Sequence, residues 1–197
     1  RVDQSREFSQ FVYWLRDIGA RMFGFNNVGF DYPVVHLLAQ HGSFVARDAH
    51  DKGTSIITAE NRWENQVWES DRIVKQGDLF LIHHFDNKAR MTGLKKLEIN
   101  MRSMTVVDLP YKPDQPTTHA QKSEIVAYMC HDVSETLKFY HASLEQIKFR
   151  DQLAKTYPAL GDVLNMNDVI VLGYNAGTNA RLRITGFTSS TDRKSVV

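Results

Sequence analysis

Apolar residues Phe8, Phe11, Val12, Leu15 and Ile18 recur at spacings of three and four. That period predicts an amphipathic helix over residues 6–18, with Ser5 as N-cap and Gly19 as stop. Phe8, Phe11, Trp14 and Leu15 form the stripe such a helix would bury. Residues 21–25 read as a short strand that runs into a turn at 26–31 and a second helix over 31–39. This order places Asn26 and Asp31 at the strand's carboxyl end, where open α/β sheets put their ligands. Residues 43–59 fit no single period, because Gly53 and β-branched side chains weaken a helix there. Residues 61–76, with Trp63 and Trp68 among charges, read as an irregular, partly packed insertion.

Residues 78–84 hold the continuous apolar run Leu79-Phe80-Leu81-Ile82, which predicts a strand buried on both faces. A helix is expected over 92–101, with Leu94, Leu97 and Met101 on one side. Pro110, Pro113 and Pro116 make residues 109–116 a loop. Residues 120–140 and 144–157 read as long helices. Val169-Ile170-Val171-Leu172, a turn at Asn175-Ala176-Gly177 and Leu182-Arg183-Ile184 predict a β-hairpin within 169–188. There is no internal repeat and no long linker.

A chain of 197 residues suits one domain. Its net charge of +1 gives no global attraction to nucleic acid, so any basic surface must be local. One cysteine, Cys130, excludes an internal disulfide framework and fits a reducing compartment. No apolar run approaches the roughly 20 residues that span a bilayer, and no secretory apolar region opens the chain. The expectation is a cytoplasmic protein. Both ends read as cuts. The chain opens at Arg1 with a helical pattern close behind, and Asp192-Arg193-Lys194-Ser195-Val196-Val197 resembles a translated sequencing adapter, with a native basic tail as the alternative. The expected organisation is a main domain over 1–168, a hairpin-like tail over 169–191 and an extraneous or disordered end over 192–197.

Two motifs could carry chemistry. In Tyr128-Met129-Cys130-His131-Asp132 the phenol and the carboxylate lie four residues apart, one turn apart on one helix face. A carboxylate supplies oxygen ligands for Mg²⁺ or Mn²⁺, and the phenol can orient a neighbouring water. An ordinary helix with a core Tyr and a surface Asp has the same pattern. In Gly24-Phe25-Asn26-Asn27-Val28-Gly29-Phe30-Asp31-Tyr32-Pro33, Asp31 opens a helix and aims its carboxylate from a turn. Asn26 would brace that turn or meet a nucleotide, and Phe30 could stack on a terminal base. A capped helix with Phe30 in the core is the plain alternative.

The two motifs in this order, with Gln76-Gly77-Asp78-Leu79 between them, resemble the second and third signature motifs of DEDD-type 3′→5′ exonucleases. The segment His83-His84-Phe85-Asp86-Asn87-Lys88-Ala89-Arg90, followed by Leu94-Lys95-Lys96-Leu97-Glu98, is similar to the wording of phage-type DNA polymerases and exonucleases. The resemblance covers residues 8–168. It implies an α/β fold of the ribonuclease H-like kind and a two-metal site for Mg²⁺ or Mn²⁺. In it Asp31 helps hold one ion, Asp132 ligates the other, and Tyr128 positions the attacking water. Ala127 stands where the histidine subtype has its histidine, so the likeness is to the tyrosine subtype. The implied substrate is the 3′ end of single-stranded DNA, with a polymerase domain in the same full-length chain and, for a virus, a bacterial host cytoplasm.

That family also needs an Asp-x-Glu on an early strand, and the chain contains none. The expectation is therefore an amino-terminal truncation that removes the first antiparallel strands, weak metal binding and little nuclease activity. A non-catalytic nucleic-acid-binding module and an RNA-directed exonuclease remain as alternatives. Lys88, Arg90, Lys95, Lys96 and Arg102 form a local basic cluster, either a solvated helix face or a groove that tracks phosphates, with Lys88 and Arg90 as substrate contacts. His131 reads as structural, and so does Asp78. His83 and His84 would face opposite sides of a strand, which argues against a shared metal ion with Asp86.

Overall fold

The computed structural model describes residues 4–61, 63–86, 88, 90–109, 111, 115, 117–158 and 161–165, and the backbone of Ile170–Tyr174 and Arg181–Thr185. The chain is mixed α/β, mostly helical, with a small parallel sheet. Helix α1 (Ser5–Asp17) leads into strand β1 (Arg21–Gly24), then α2 (Asp31–His41) and α3 (Ala46–Thr58). After a 3-10 turn at Glu69–Asp71 come β2 (Lys75–Asp78), α4 (Leu79–Ile82), α5 (Leu94–Asn100), α6 (His119–Ala142) and α7 (Leu144–Thr156). Strands β3 (Ile170–Tyr174) and β4 (Arg181–Thr185) pair antiparallel, as the hairpin pattern predicts. The turn expected at Asn175–Gly177 and the residues from 186 onward lie outside the described residues.

β1 and β2 pair in parallel, with Arg21 opposite Lys75 and Gly24 opposite Asp78. A parallel pair needs a long crossover, which α2 and α3 supply. Among the described residues β1 pairs on one side only. Phe23 explains Gly77 on the neighbouring strand: a Cβ there would sit 2.3 Å from the Phe23 ring.

The apolar run at 79–82 is helix, which corrects the strand expected over 78–84. A short continuous apolar run does not distinguish a buried strand from a buried helical turn. Asp78 decides it by accepting the Phe80 N–H at 3.0 Å, an N-cap that starts α4. The strand lies just upstream instead. The argument that kept His83 and His84 apart on a strand lapses with it. His83 follows α4 and bonds the Ser143 hydroxyl at 2.8 Å.

Helices α6 and α7 fall within two residues of their expected bounds. A Thr118–Gln121 capping box opens α6. Residues 43–59, ambiguous by pattern, contain α3, which the Asp48 carboxylate starts by accepting the Val45 N–H at 2.8 Å. In α1 the buried face is Phe8, Val12 and Leu15, packed with Ala39 and Val74. Phe11 and Trp14 were expected there too, but they lie about half exposed and stack on each other at 5.8 Å. The larger core joins Leu79, Ile82, Leu97, Phe139, Ile147 and Leu164, with Phe23 and Phe25 packed against it.

Asp78 is fully buried and also accepts the N–H groups of Asn26 at 2.8 Å and Val28 at 3.0 Å. Its own N–H donates to Asn165, which in turn bonds the Gln76 carbonyl. The structural role expected for Asp78 is the one observed. Asp78→Ala should destabilise the protein by about 3 kcal/mol or more, because three buried donors lose an anionic acceptor. Urea denaturation measures this.

Two buried groups respond oppositely to acid. Burial, with Arg150 and His84 nearby, pushes the His83 pKa down to about 4. Burial pushes the Asp78 carboxyl up to about 6, against the backbone N–H groups that favour its anion. Between roughly pH 6.5 and 4 the unfolded chain protonates His83 before the native state does, so this contribution to stability is lost as pH falls. Between about 6 and 3.8 the native state holds the Asp78 proton more tightly, so that contribution grows as pH falls. His83→Gln removes the first contribution alone. Its stability relative to wild type should rise as pH is lowered through this window, measured as denaturation midpoints at each pH.

Candidate functional site

The residues between β1 and α2 form a tight turn. Asn26 adopts a left-handed backbone (φ 59°), and its carbonyl accepts the N–H groups of Gly29 and Phe30. The Asn26 side chain lies against Gly29, where a Cβ would come 2.7 Å from its amide oxygen. Asn27 is buried beneath, its amide 2.9 Å from that of Gln76. Phe30 occupies the N-cap position of α2, and Asp31 is the first helical residue. The acid thus sits in the first turn, where the helix dipole favours negative charge. Asp31 reaches solvent, yet the protein around it raises its pKa by desolvation, only partly offset by its own backbone N–H.

A cleft of about 640 Å³ runs beside β1. Residues 21–25 all line it. Successive side chains of a strand face opposite sides, so a cavity that meets all four residues of β1 runs along the strand edge that is unpaired among the described residues. One wall includes Asp31, Tyr32 and Val35; the other includes Asp132, Val133 and Leu137. The two acids singled out by motif therefore share one cavity, although they come from different helices.

Beside Asp132, Lys95 from α5 donates to Asp132 Oδ1 at 2.8 Å and lies 4.6 Å from the centre of the Tyr128 ring, and neither Lys95 nor Tyr128 is among the residues lining the cleft. Burial disfavours this ammonium, but the hydrogen bond and charge of Asp132, with those of Tyr128, outweigh it and raise the Lys95 pKa. Tyr128 is itself raised, by burial and then by Asp132. Tyr128 and Asp132 are thus joined as the i, i+4 spacing predicts. The lysine was missed as a site residue. In the sequence it is one of five cations near 88–102, and only the packing of α5 on α6 sets it apart. Glu98, one turn along α5, is fully buried, 3.5 Å from Lys95 and 3.2 Å from His131 Nε2. His131 links the two helices, which fits its structural reading.

The other expected substrate contacts lie elsewhere. Asn26, Phe30, Lys88 and Arg90 do not line the acid cleft. Phe30 stands toward α3, where a Cβ on Gly53 would be 3.7 Å from its ring. Lys88 is exposed and Arg90 half-buried. Among the described residues no three His, Cys, Asp or Glu side chains are grouped to hold a metal ion, and no helix is long and apolar enough to cross a membrane. Among the described residues lining the acid cleft the carboxylates are those of Asp31 and Asp132, oxygen donors that suit Mg²⁺ or Mn²⁺ in kind.

No protein-family model matches the chain, and neither a curated protein nor a solved structure matches it. The site's chemistry therefore rests on its own geometry.

If Asp132 holds the Lys95 ammonium in its charged form, Asp132→Asn should lower the Lys95 pKa, because burial then acts with less opposition. A ¹⁵N-lysine NMR titration of both forms reads this directly. An unchanged Lys95 titration would show the pair to be uncoupled.

Proposed function

We propose that this chain carries the second and third motifs of a DEDD-type 3′→5′ exonuclease domain of the tyrosine subtype, from a phage-type DNA polymerase or exonuclease. The observation that carries the reading is the shared cleft: Asp31 and Asp132 line one cavity along the free edge of β1. A strand bearing Asp-x-Glu, supplied from a segment ahead of Arg1, would pair with that edge and bring its acids beside these two. The complete fold would then be ribonuclease H-like.

In this reading Asp132 and Asp31 would hold the divalent ions, and Asp132, now bonded to Lys95, would have to be freed from it to do so. The ions would supply Lewis-acid activation and charge stabilisation for phosphodiester hydrolysis. Tyr128, one turn from Asp132, orients the nucleophilic water by its hydroxyl. The substrate is the 3′ terminus of DNA and the product a nucleoside 5′-monophosphate. The open strand edge also favours a chain that, alone, binds metal weakly and cleaves poorly.

The test compares 5′-labelled single-stranded DNA digestion by this chain and by a version with an Asp-x-Glu strand fused ahead of Arg1, each with Mg²⁺ and with a chelator. The fused form should degrade DNA from the 3′ end, and Asp132→Ala should reduce the rate by about two orders of magnitude. Matched RNA should be a poorer substrate. Robust Mg²⁺-dependent digestion by the unextended chain, abolished by Asp132→Ala, would overturn the need for a further strand. A fused form that binds DNA without cleaving it supports a non-catalytic nucleic-acid-binding module instead. The Lys95 ammonium already seated on Asp132 favours that second reading.

A further inference from the structure

Glu98 is fully buried in α5, and its two carboxylate oxygens are served unequally. Oε2 lies 3.2 Å from His131 Nε2. Oε1 makes no hydrogen bond among the described residues, although Lys95 Nζ stands 3.5 Å away. A carboxylate oxygen without a donor in the interior is unfavourable, so its position asks for a reason. The ammonium beside it is directed instead to Asp132 Oδ1, at 2.8 Å.

Lys95 therefore stands between two acids in opposite settings. Asp132 is partly exposed and lines the acid cleft, whereas Glu98 is closed off from solvent. Lys95 and Glu98 are neighbours on one face of α5, three residues apart. Bringing Nζ to charge-assisted hydrogen-bond distance of Glu98 Oε1 takes a shift of about 1 Å. The Tyr128 ring, 4.6 Å from Nζ, favours a cation that stays in this place. A divalent ion on Asp132 would repel the ammonium, and Glu98 attracts it, so both charges act in the same direction.

We propose that Glu98 is the reserve seat for Lys95: when Asp132 turns to a divalent ion, the ammonium shifts from Asp132 Oδ1 to Glu98 Oε1. The role rests on the two-ion reading of the acid cleft and deepens it. Glu98 touches neither ion nor substrate and acts as a positioning residue. It holds the displaced cation where it no longer competes for Asp132, and each acid keeps a counter-charge in both arrangements.

The full chain, labelled with ¹³C and ¹⁵N, reports the seat by scalar coupling across the hydrogen bond from Lys95 Nζ to a carboxyl carbon. Wild type alone should couple to Asp132 Cγ. Saturating Mg²⁺, followed by the shift of Asp132 Cγ, should move the coupling to Glu98 Cδ. Asp132→Asn should place it on Glu98 Cδ with no metal added. Glu98→Gln should weaken Mg²⁺ binding about fivefold, and the same change on a Lys95→Met background should weaken it much less. An equal loss on that background would show Glu98 acting on the ion by its own charge, and the reserve seat would be refuted. Mg²⁺ that shifts Asp132 Cγ without bringing a coupling to Glu98 Cδ would refute it too, and leave the metal reading standing. So would an Asp132→Asn form with no coupling to Glu98. Absence of any Mg²⁺-dependent shift at Asp132, in wild type and in Lys95→Met alike, would instead sink the metal reading, and this role with it.

Discussion

The carboxylate of Asp78 organises the centre of the molecule. It closes β2, starts α4 through the Phe80 N–H and gathers the Asn26 and Val28 N–H groups of the turn that follows β1. Two strands and two connections meet at this one side chain. Burial raises its pKa to about 6, so the group is anionic at neutral pH but close enough to protonation that its donors matter. Three surrounding backbone hydrogen bonds, from Asn26, Val28 and Phe80, stabilise the anion against desolvation. The direction in which Asp31 leaves the turn depends on this anchor.

The anchored turn also separates two cavities of different character. Along the free edge of β1 the walls are mostly apolar, and the acids Asp31 and Asp132 face the same space. Across the turn, tryptophan and amide groups form the wall, and the carboxylate of Asp78 is turned inward to the backbone. The apolar face of α6 continues from the first cavity: Met129, Val133 and Leu137 are exposed. Among the described residues no element covers this strand edge or this face of α6.

Much of the local structure was legible. The Phe8–Val12–Leu15 repeat, the long helices α6 and α7 and the strand before Asn26 all follow from short-range physics, and they fall where the pattern puts them. Misreadings have a common cause. Leu79–Ile82 has no polar position to reveal a period, so a buried strand and a buried helical turn look alike. Phe11 and Trp14 share a sequence face with true core residues, and nothing local shows that this part of α1 lacks a covering layer. Gly53 and the β-branched residues around it disfavoured a helix that tertiary contacts nevertheless support.

The sequence by itself determined the acids and their local settings: Asp31 at a helix start and Tyr128 one turn before Asp132. These depend on spacing, and spacing is written in the chain. Tertiary structure alone decided that the two acids share a cleft, that Lys95 among five nearby cations is the partner of Asp132, and that Asn26 faces the other cavity. Such facts follow from how α2, α5 and α6 pack around β1, which no window of neighbouring residues encodes. The same limit hid the stacking of Trp63 on Trp68, whose separation in the chain says nothing of a shared plane.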